Sequence, residues 1–200
     1  MTKLTMKLSN MLDKLSCSPL QISSSTSDLY TLAVNISDLV FTALLAITPI
    51  CHSPASTQII QTALNITKKE QNIFLEWQRF DLNCTLSYFY ESGGAIIPAQ
   101  FDQDDRSKIA SQVKQRLHSF WQEWKDIQLL LERMEEGQSI HSEIHEVYHT
   151  CMIIREKYYL FFCDLAQLYP EGRLRNALNN IINTIEPGNT QLGEVFLKLL

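Results

Sequence analysis

The fold of this chain is decided by residues 140–168, which read IHSEIHEVYHTCMIIREKYYLFFCDLAQL. Apolar side chains recur in this stretch at alternating steps of four and three residues. They are Ile140, Ile144, Val147, Cys151, Ile154, Tyr158, Phe161, Leu165 and Leu168. Because an α-helix turns once every 3.6 residues, this spacing places all of them on one side of a helix. The stretch therefore predicts a helix that packs along its whole length against other helices.

Three earlier stretches show the same alternation, so we predict an all-α fold. The first contains Leu29, Ala33, Ile36, Val40, Ala43, Ile47 and Ile50; the second contains Ile59, Ala63, Ile66, Glu70, Ile73, Trp77, Phe80 and Cys84; the third contains Val113, Leu117, Phe120, Trp124, Ile127, Leu131 and Met134. Proline and glycine separate these stretches at Pro49, Gly93 and Gly137. Together with residues 140–168 they predict long helices at 28–50, 54–90, 103–136 and 139–169.

Short connections at 51–54 and 137–139 favour antiparallel neighbours, since a short loop cannot carry the chain to the far end of a helix. We therefore predict an up-down-up-down four-helix bundle with heptad-patterned, coiled-coil-like helices. Pro187 and Gly188 indicate a turn near the end of the chain. We expect them to divide a small helical appendage into two short helices at 172–185 and 190–200.

The domain organisation follows from the same patterns. We expect residues 28–200 to form a single helical-bundle domain, because a chain of 200 residues is long enough for one sizeable core. Residues 1–27 predict a flexible N-terminal segment rich in serine and threonine. Five apolar residues near its start would share one face of a short amphipathic helix: Leu4, Leu8, Met11, Leu12 and Leu15.

Composition bounds the location and the partners. The chain has 17 basic and 22 acidic residues and a net charge of −5, so nucleic acid is not expected as a partner. Its five cysteines include no CxxC pair, which favours a reducing, cytoplasmic location. A secreted effector is the alternative, because many effectors have serine-rich N-termini. The apolar run at 39–47 is shorter than the ~20 residues of a membrane span, so we interpret it as part of a core helix.

Three histidines follow one another at steps of four residues: His141, His145 and His149. Residues 146–149 also match Glu-x-x-His, a pattern found in metal-binding helical bundles. However, if Ile144 and Val147 face the core, His145 and His149 point away from it. We therefore predict no metal and no cofactor, and keep His145 and His149 only as weak candidates for metal ligands. A solvated or pH-sensitive histidine surface is the preferred interpretation.

Glu70 is the one carboxylate on an apolar seam. A buried carboxylate is costly unless it is paired, and counting from the tight turns places Glu70 level with Arg155. We predict a polar core pair between Glu70 and Arg155, or a bond from Glu70 to a tryptophan indole. The pair could fix the register of the helices, or Glu70 could serve as a ligand-binding or catalytic acid. A third possibility is that the helix turns Glu70 toward solvent.

Trp121, Tyr159 and Phe162 lie beside the predicted seams rather than on them. They could widen the core or form a groove for a partner helix, so they are candidate interaction-surface residues. The sequence contains no nucleophile elbow, phosphate-binding loop or dinucleotide fingerprint, and we assign no catalytic residue.

These observations favour a non-enzymatic protein–protein interaction module: an adaptor, a chaperone-like protein or an effector. The expected partner is another protein, or a second copy of the chain in a homo-oligomer. One alternative, which is not favoured, is a membrane-active bundle that inserts its N-terminal amphipathic segment and the helix at Leu29–Ile50 into lipid. Another is an enzyme that binds a metal or a small ligand through Glu70 or through His141, His145 and His149.

Overall fold

A computed structural model describes residues 25–91, 103–136 and 142–200 of the chain. The elements are helix α1 (Thr26–Ile47), a 3-10 turn (Thr48–Ile50), helix α2 (Pro54–Glu91), helix α3 (Gln103–Glu135), helix α4 (Glu143–Leu168) and helix α5 (Arg173–Leu199). Within these ranges all regular structure is helical, which confirms the predicted all-α class. The predicted N-terminal amphipathic helix, Ile140 and His141 lie outside the described residues.

Helix α1 begins at a serine cap and forms much of the core. The Ser25 hydroxyl accepts a hydrogen bond of 3.2 Å from the backbone N–H of Asp28. The seam side chains from Leu29 to Ile47 are buried, whereas Asp28, Asn35 and Asp38 are exposed. By length and composition alone residues 26–50 could cross a membrane, but 61% of their most apolar window is buried in this structure. A core helix passes the same test.

A carboxylate from α4 caps the connection that leads into α2. The side-chain Oε1 of Glu143 accepts hydrogen bonds from the backbone N–H groups of His52, at 2.8 Å, and Ser53, at 2.9 Å. Ser53 in turn accepts at its hydroxyl from the N–H of Ser56. These bonds satisfy donors that a helix start leaves free, and they fasten α4 beside the α1–α2 connection.

The seam of α2 changes position along the helix. Phe80, predicted on the seam, is 70% exposed, and its neighbour Asp81 is 9% exposed instead. A straight helix drifts by ~20° per heptad relative to a strict 3.5-residue repeat. From residue 59 to residue 80, three heptads, the drift is ~60°, which turns the inward side of the helix from position 80 toward position 81. The inward carboxylate is accommodated because side chains of two other helices bind it.

The prediction of two short C-terminal helices is wrong, because residues 173–199 form one helix with Pro187 inside it. Leu178, Ile181 and Ile185 before the proline and Leu192 after it are all fully buried, so one apolar face continues across Pro187. Arg155 of α4 also donates to the Ile185 carbonyl and to the Asn189 side chain, on either side of the proline. Tertiary packing therefore outweighs the local preference for a turn.

The C-terminal helix is also not a small appendage. Helices α1, α2, α4 and α5 each pack against the other three, whereas α3 packs mainly against α4 and makes a smaller contact with α1. The 27-residue α5 can occupy this central position because its buried face runs from Leu174 to Phe196.

Candidate functional site

The structure brings Glu70 of α2 and Arg155 of α4 together in the centre of the molecule. Arg155 Nη2 lies 2.6 Å from Glu70 Oε1, and Arg155 Nη1 lies 3.3 Å from Glu70 Oε2. The arginine side chain is 0% exposed and the glutamate side chain 4% exposed. The contact is therefore a bidentate, buried ion pair, the geometry in which a guanidinium binds a carboxylate most strongly.

The other donors of Arg155 are also occupied. Nη1 donates to the Thr67 hydroxyl at 2.9 Å, Nε donates to Asn189 Oδ1 at 2.8 Å, and Nη2 donates to the Ile185 carbonyl at 3.4 Å. With the two bonds to Glu70, all five N–H groups of the guanidinium have a partner. We name Thr67, Glu70, Arg155 and Asn189 the buried polar network. It joins α2, α4 and α5 and leaves Arg155 no donor for a ligand.

Gly188 of α5 allows this network to form. A Cβ atom at position 188 would lie 2.5 Å from Arg155 Nη2, 2.5 Å from Ile66 Cγ2 and 2.6 Å from Glu70 Oε1. These distances are far below van der Waals contact, so a side chain here would displace the ion pair. The glycine is needed for close approach of the α5 backbone to both charged groups.

Burial dominates the titration of the groups around the ion pair. Loss of solvent raises the pKa of Glu70 above its ordinary 4.5, and the charge and hydrogen bonds of Arg155 oppose that rise. The pKa of Tyr158 is raised well above 10, first by burial and then by the charge of Glu70. Tyr158 thus stays neutral and contributes a buried phenol, not a second anion, next to the network.

The histidine candidates lie on the surface of α4. His145 and His149 are exposed, and His141 lies outside the described residues. His145 Nδ1 is 2.6 Å from the Ser142 hydroxyl, and its ring meets the Phe196 ring edge-on at 5.4 Å. In the described ranges no group of three His, Cys, Asp or Glu side chains is placed to hold a metal ion.

These histidines border a groove of about 660 Å³ between α3, α4 and α5. Its floor includes the stacked rings of Tyr148 and Phe196, which are parallel and 3.8 Å apart. Leu130 and Arg133 of α3 form the opposite side. Charged and polar side chains also line the groove, among them Arg133, Glu146 and Thr150.

Two of the three aromatic residues expected at an interaction surface belong to the core. Phe162 is 0% exposed and Trp121 is 8% exposed. Phe162 packs edge-on against Tyr158 and Phe161, and Trp121 against Phe120. For Trp121 and Phe162 this burial favours the widened core over the groove for a partner helix, the two alternatives that the sequence left open. Tyr159 is half-buried and is hydrogen-bonded to Cys163.

A cleft of about 610 Å³ opens at the end of the molecule where α1 and α5 begin. We name it the end cleft. It is lined by Thr26 and Tyr30 of α1, by Trp77, Phe80 and Asp81 of α2, and by Gly172, Arg173, Asn176, Ala177 and Asn180 at the start of α5. Its size is typical of ligand-binding and peptide-binding pockets.

Asp81 organises the polar side of the end cleft. Its Oδ2 accepts a hydrogen bond of 2.6 Å from the Thr26 hydroxyl, and its Oδ1 lies 2.5 Å from Nη2 of Arg173. The Asp81 side chain is 12% exposed, but that of Arg173 is 53% exposed. The carboxylate thus joins α1, α2 and α5 and holds a guanidinium in place at the wall of the cleft, still accessible to solvent.

Aromatic rings form the other side of the end cleft. The rings of Tyr30 and Trp77 are 5.5 Å apart and tilted, and Phe80 stands beside them 70% exposed. Burial raises the pKa of Tyr30 above 10, although a hydrogen bond with Asn180 lowers it. The cleft therefore combines a neutral tyrosine, two further aromatic faces and an oriented arginine.

Sequence reasoning missed this site. Asp81 and Arg173 are 92 residues apart, and each resembles an ordinary surface residue in its own stretch. The available signal was the drift of the α2 seam, which predicts that an inward position moves from residue 80 to residue 81 toward the end of a long helix.

No protein-family model, curated protein or solved structure matches this chain. The function is therefore argued from the geometry of the described residues.

Proposed function

We propose that this chain is a non-enzymatic protein–protein interaction module and that it binds its partner at the end cleft. The observation that carries the proposal is the side chain of Phe80, which is 70% exposed at the lip of a cleft that also contains Trp77 and Arg173. Aromatic residues and arginine are the types that dominate binding energy in protein interfaces. An adaptor, a chaperone-like protein and an effector all use such a surface.

The scaffold in this proposal is a helical bundle with α1, α2, α4 and α5 as its four members and α3 against its side. The contacts among those four helices support this arrangement. The buried polar network supports it as well, because a polar pair on a packing seam can fix the register of neighbouring helices. A scaffold of fixed register holds Thr26, Asp81 and Arg173 in one place although they belong to three helices.

An enzyme built on Glu70 is a weaker proposal. The Glu70 side chain is 4% exposed and both of its oxygens already accept hydrogen bonds from Arg155, so a substrate has no direct approach to it. The membrane-active alternative is also weaker. Most of α1 is buried against other helices, and insertion into lipid would remove it from the core and carry Asp38 with it.

Native mass spectrometry of protein gently purified from its own host tests the proposal. We expect a species heavier than 23.1 kDa by the mass of a protein chain, either a different protein or a second copy. Phe80→Ser should abolish this species. Leu129→Ser is the matched control, because Leu129 is 54% exposed on α3 and does not line the end cleft.

Two results would contradict the proposal. If Phe80→Ser and Leu129→Ser retain the heavier species equally, the partner does not bind at the end cleft. If the wild-type chain carries only the mass of a metal ion or a small molecule, the protein is a ligand-binding protein or an enzyme rather than an interaction module.

A further inference from the structure

The end cleft lies beside the point where residues 1–24 join the described chain. Thr26, the first residue of α1, lines the cleft and bonds to Asp81 at its floor. The described part of the chain therefore begins at the rim of the cleft, where residues 1–24 are attached to it. Phe80 at the lip of the cleft and Trp77 inside the cleft offer apolar surface to a bound segment.

The N-terminal segment matches the cleft in reach. A predicted amphipathic helix over residues 1–15 would be followed by a connector of nine residues, 16–24, which spans up to ~30 Å when extended. A tethered segment of this length has an effective concentration in the millimolar range at a neighbouring site. The connection that follows Glu91 is a less suitable occupant because it begins farther from the cleft. Helix α2 continues ten residues beyond Asp81, which is about 15 Å along the helix.

The segment also matches the rest of the chain in charge. Residues 1–24 contain three lysines and one aspartate, a net charge of +2. The remaining residues contain 14 basic and 21 acidic side chains, a net charge of −7. The segment is therefore attracted to the rest of the chain, and we expect this attraction to weaken as salt is added.

We propose that residues 1–24 dock the face that carries Leu8 and Leu12 into the end cleft and so compete with the partner. The competition rests on the proposed function of the cleft, but the docking itself does not. The segment acts as an intramolecular inhibitor that a stronger partner displaces. Leucine side chains would cover Phe80 and Trp77, which makes the contact an apolar one reinforced by charge.

Photo-crosslinking in the full-length chain tests the docking without any partner. The photoreactive analogue benzoylphenylalanine replaces Phe80, where the 70% exposure of the side chain leaves room for it. After irradiation, peptide mass spectrometry identifies the crosslinked residues in the monomer. The same analogue at position 129, on α3, is the positional control.

We expect crosslinks from position 80 to residues 4–15 and none from position 129 to that segment. Leu8→Ser together with Leu12→Ser should reduce the yield roughly tenfold, since each leucine contributes substantial apolar area. Thr2→Ser together with Asn10→Ser, changes outside the apolar face, should leave the yield unchanged.

Two results would overturn the docking. The first is an equal crosslink yield in the Leu8→Ser, Leu12→Ser variant. The second is crosslinking of position 80 to a second copy or to no part of residues 1–24. Loss of the crosslink when vesicles of phosphatidylcholine and phosphatidylserine are added, with the segment bound to the vesicles instead, would overturn the competition with a protein partner, because lipid would then displace the segment. If docking is found but the heavier species in native mass spectrometry is not, only the proposed function fails.

Discussion

Gly188→Ala should destabilise the protein, although alanine is the better helix former. The new Cβ would lie 2.5 Å from Arg155 Nη2 and 2.6 Å from Glu70 Oε1, so it separates the two charged groups or displaces α5. Arginine and glutamate side chains are flexible at their ends, and at a surface they would simply move aside. Here they are buried, and five hydrogen bonds from Arg155 hold them, so movement breaks bonds that cannot be replaced by water.

The magnitude follows from three contributions. Overpacking of a core costs about 1–3 kcal/mol, and loss of a hydrogen bond to a charged group costs about 1.5–3 kcal/mol. The gain in helix propensity from glycine to alanine is about 1 kcal/mol. We therefore expect Gly188→Ala to lower the free energy of unfolding by about 1.5–5 kcal/mol.

Gly193→Ala is the matched control in the same helix. A Cβ at position 193 would meet only the Tyr148 hydroxyl, at 3.5 Å, an ordinary contact. Without overpacking, the propensity gain remains, so the free energy of unfolding should rise by about 0.5–1 kcal/mol. Urea denaturation followed by circular dichroism measures both variants. If Gly188→Ala is as stable as Gly193→Ala, the close approach of α5 to the ion pair is not what requires glycine at position 188.

Three other predictions concern Glu70, Glu143 and Phe80. Glu70→Leu should cost about 3–5 kcal/mol because it leaves Arg155 charged and buried, and adding Arg155→Met should recover most of that loss in urea denaturation; a gain from Glu70→Leu alone would refute the paired role. Hydrogen bonds from the backbone N–H groups of Ser53 and then His52 lower the pKa of Glu143. The ionised carboxylate therefore stabilises the fold fully above pH 4.5, the ordinary pKa of the group, and this contribution is lost as the pH falls through the lowered pKa. Glu143→Gln should therefore reduce stability at pH 7 by less than about 1 kcal/mol, given its exposure to solvent, and should match the wild type in acid; a difference that persists at low pH would contradict this. Phe80→Ser should leave the free energy of unfolding unchanged within about 0.5 kcal/mol, because the side chain is exposed, and a larger loss would show that it supports the core.

The sequence was sufficient for the helical class because apolar spacing reports helix faces directly. Ala33, Ile36 and Val40 of α1 are all fully buried, as their spacing predicts. The spacing is a local property, so it predicts a helix and its buried face independently of how the helices pack together. Glu70 could be singled out for the same reason, since a carboxylate on a seam is locally anomalous.

The arrangement of the helices could not be predicted in the same way. Pro187 and Gly188 are strong signals for a turn, and only the position of Arg155 on another helix shows why α5 continues through them. Likewise, only the packing of neighbouring side chains shows that Trp121 widens the core rather than lining a groove for a partner helix. In both cases the tertiary contact that decides the outcome cannot be read from a local rule.

A comparison of the Arg155–Glu70 pair with the Arg173–Asp81 pair shows why the proposed binding site lies at the end of the molecule and not at its centre. Both pairs join helices, and both have short contacts, 2.6 Å between Arg155 and Glu70 and 2.5 Å between Arg173 and Asp81. They differ in solvent access, because the Arg155 side chain is 0% exposed whereas that of Arg173 is 53% exposed. A buried guanidinium with five occupied donors can only hold the scaffold together. A half-exposed guanidinium that a buried carboxylate orients beside Phe80 can contact a partner as well, and for that reason changes at the end cleft should alter binding while changes in the buried polar network should alter stability.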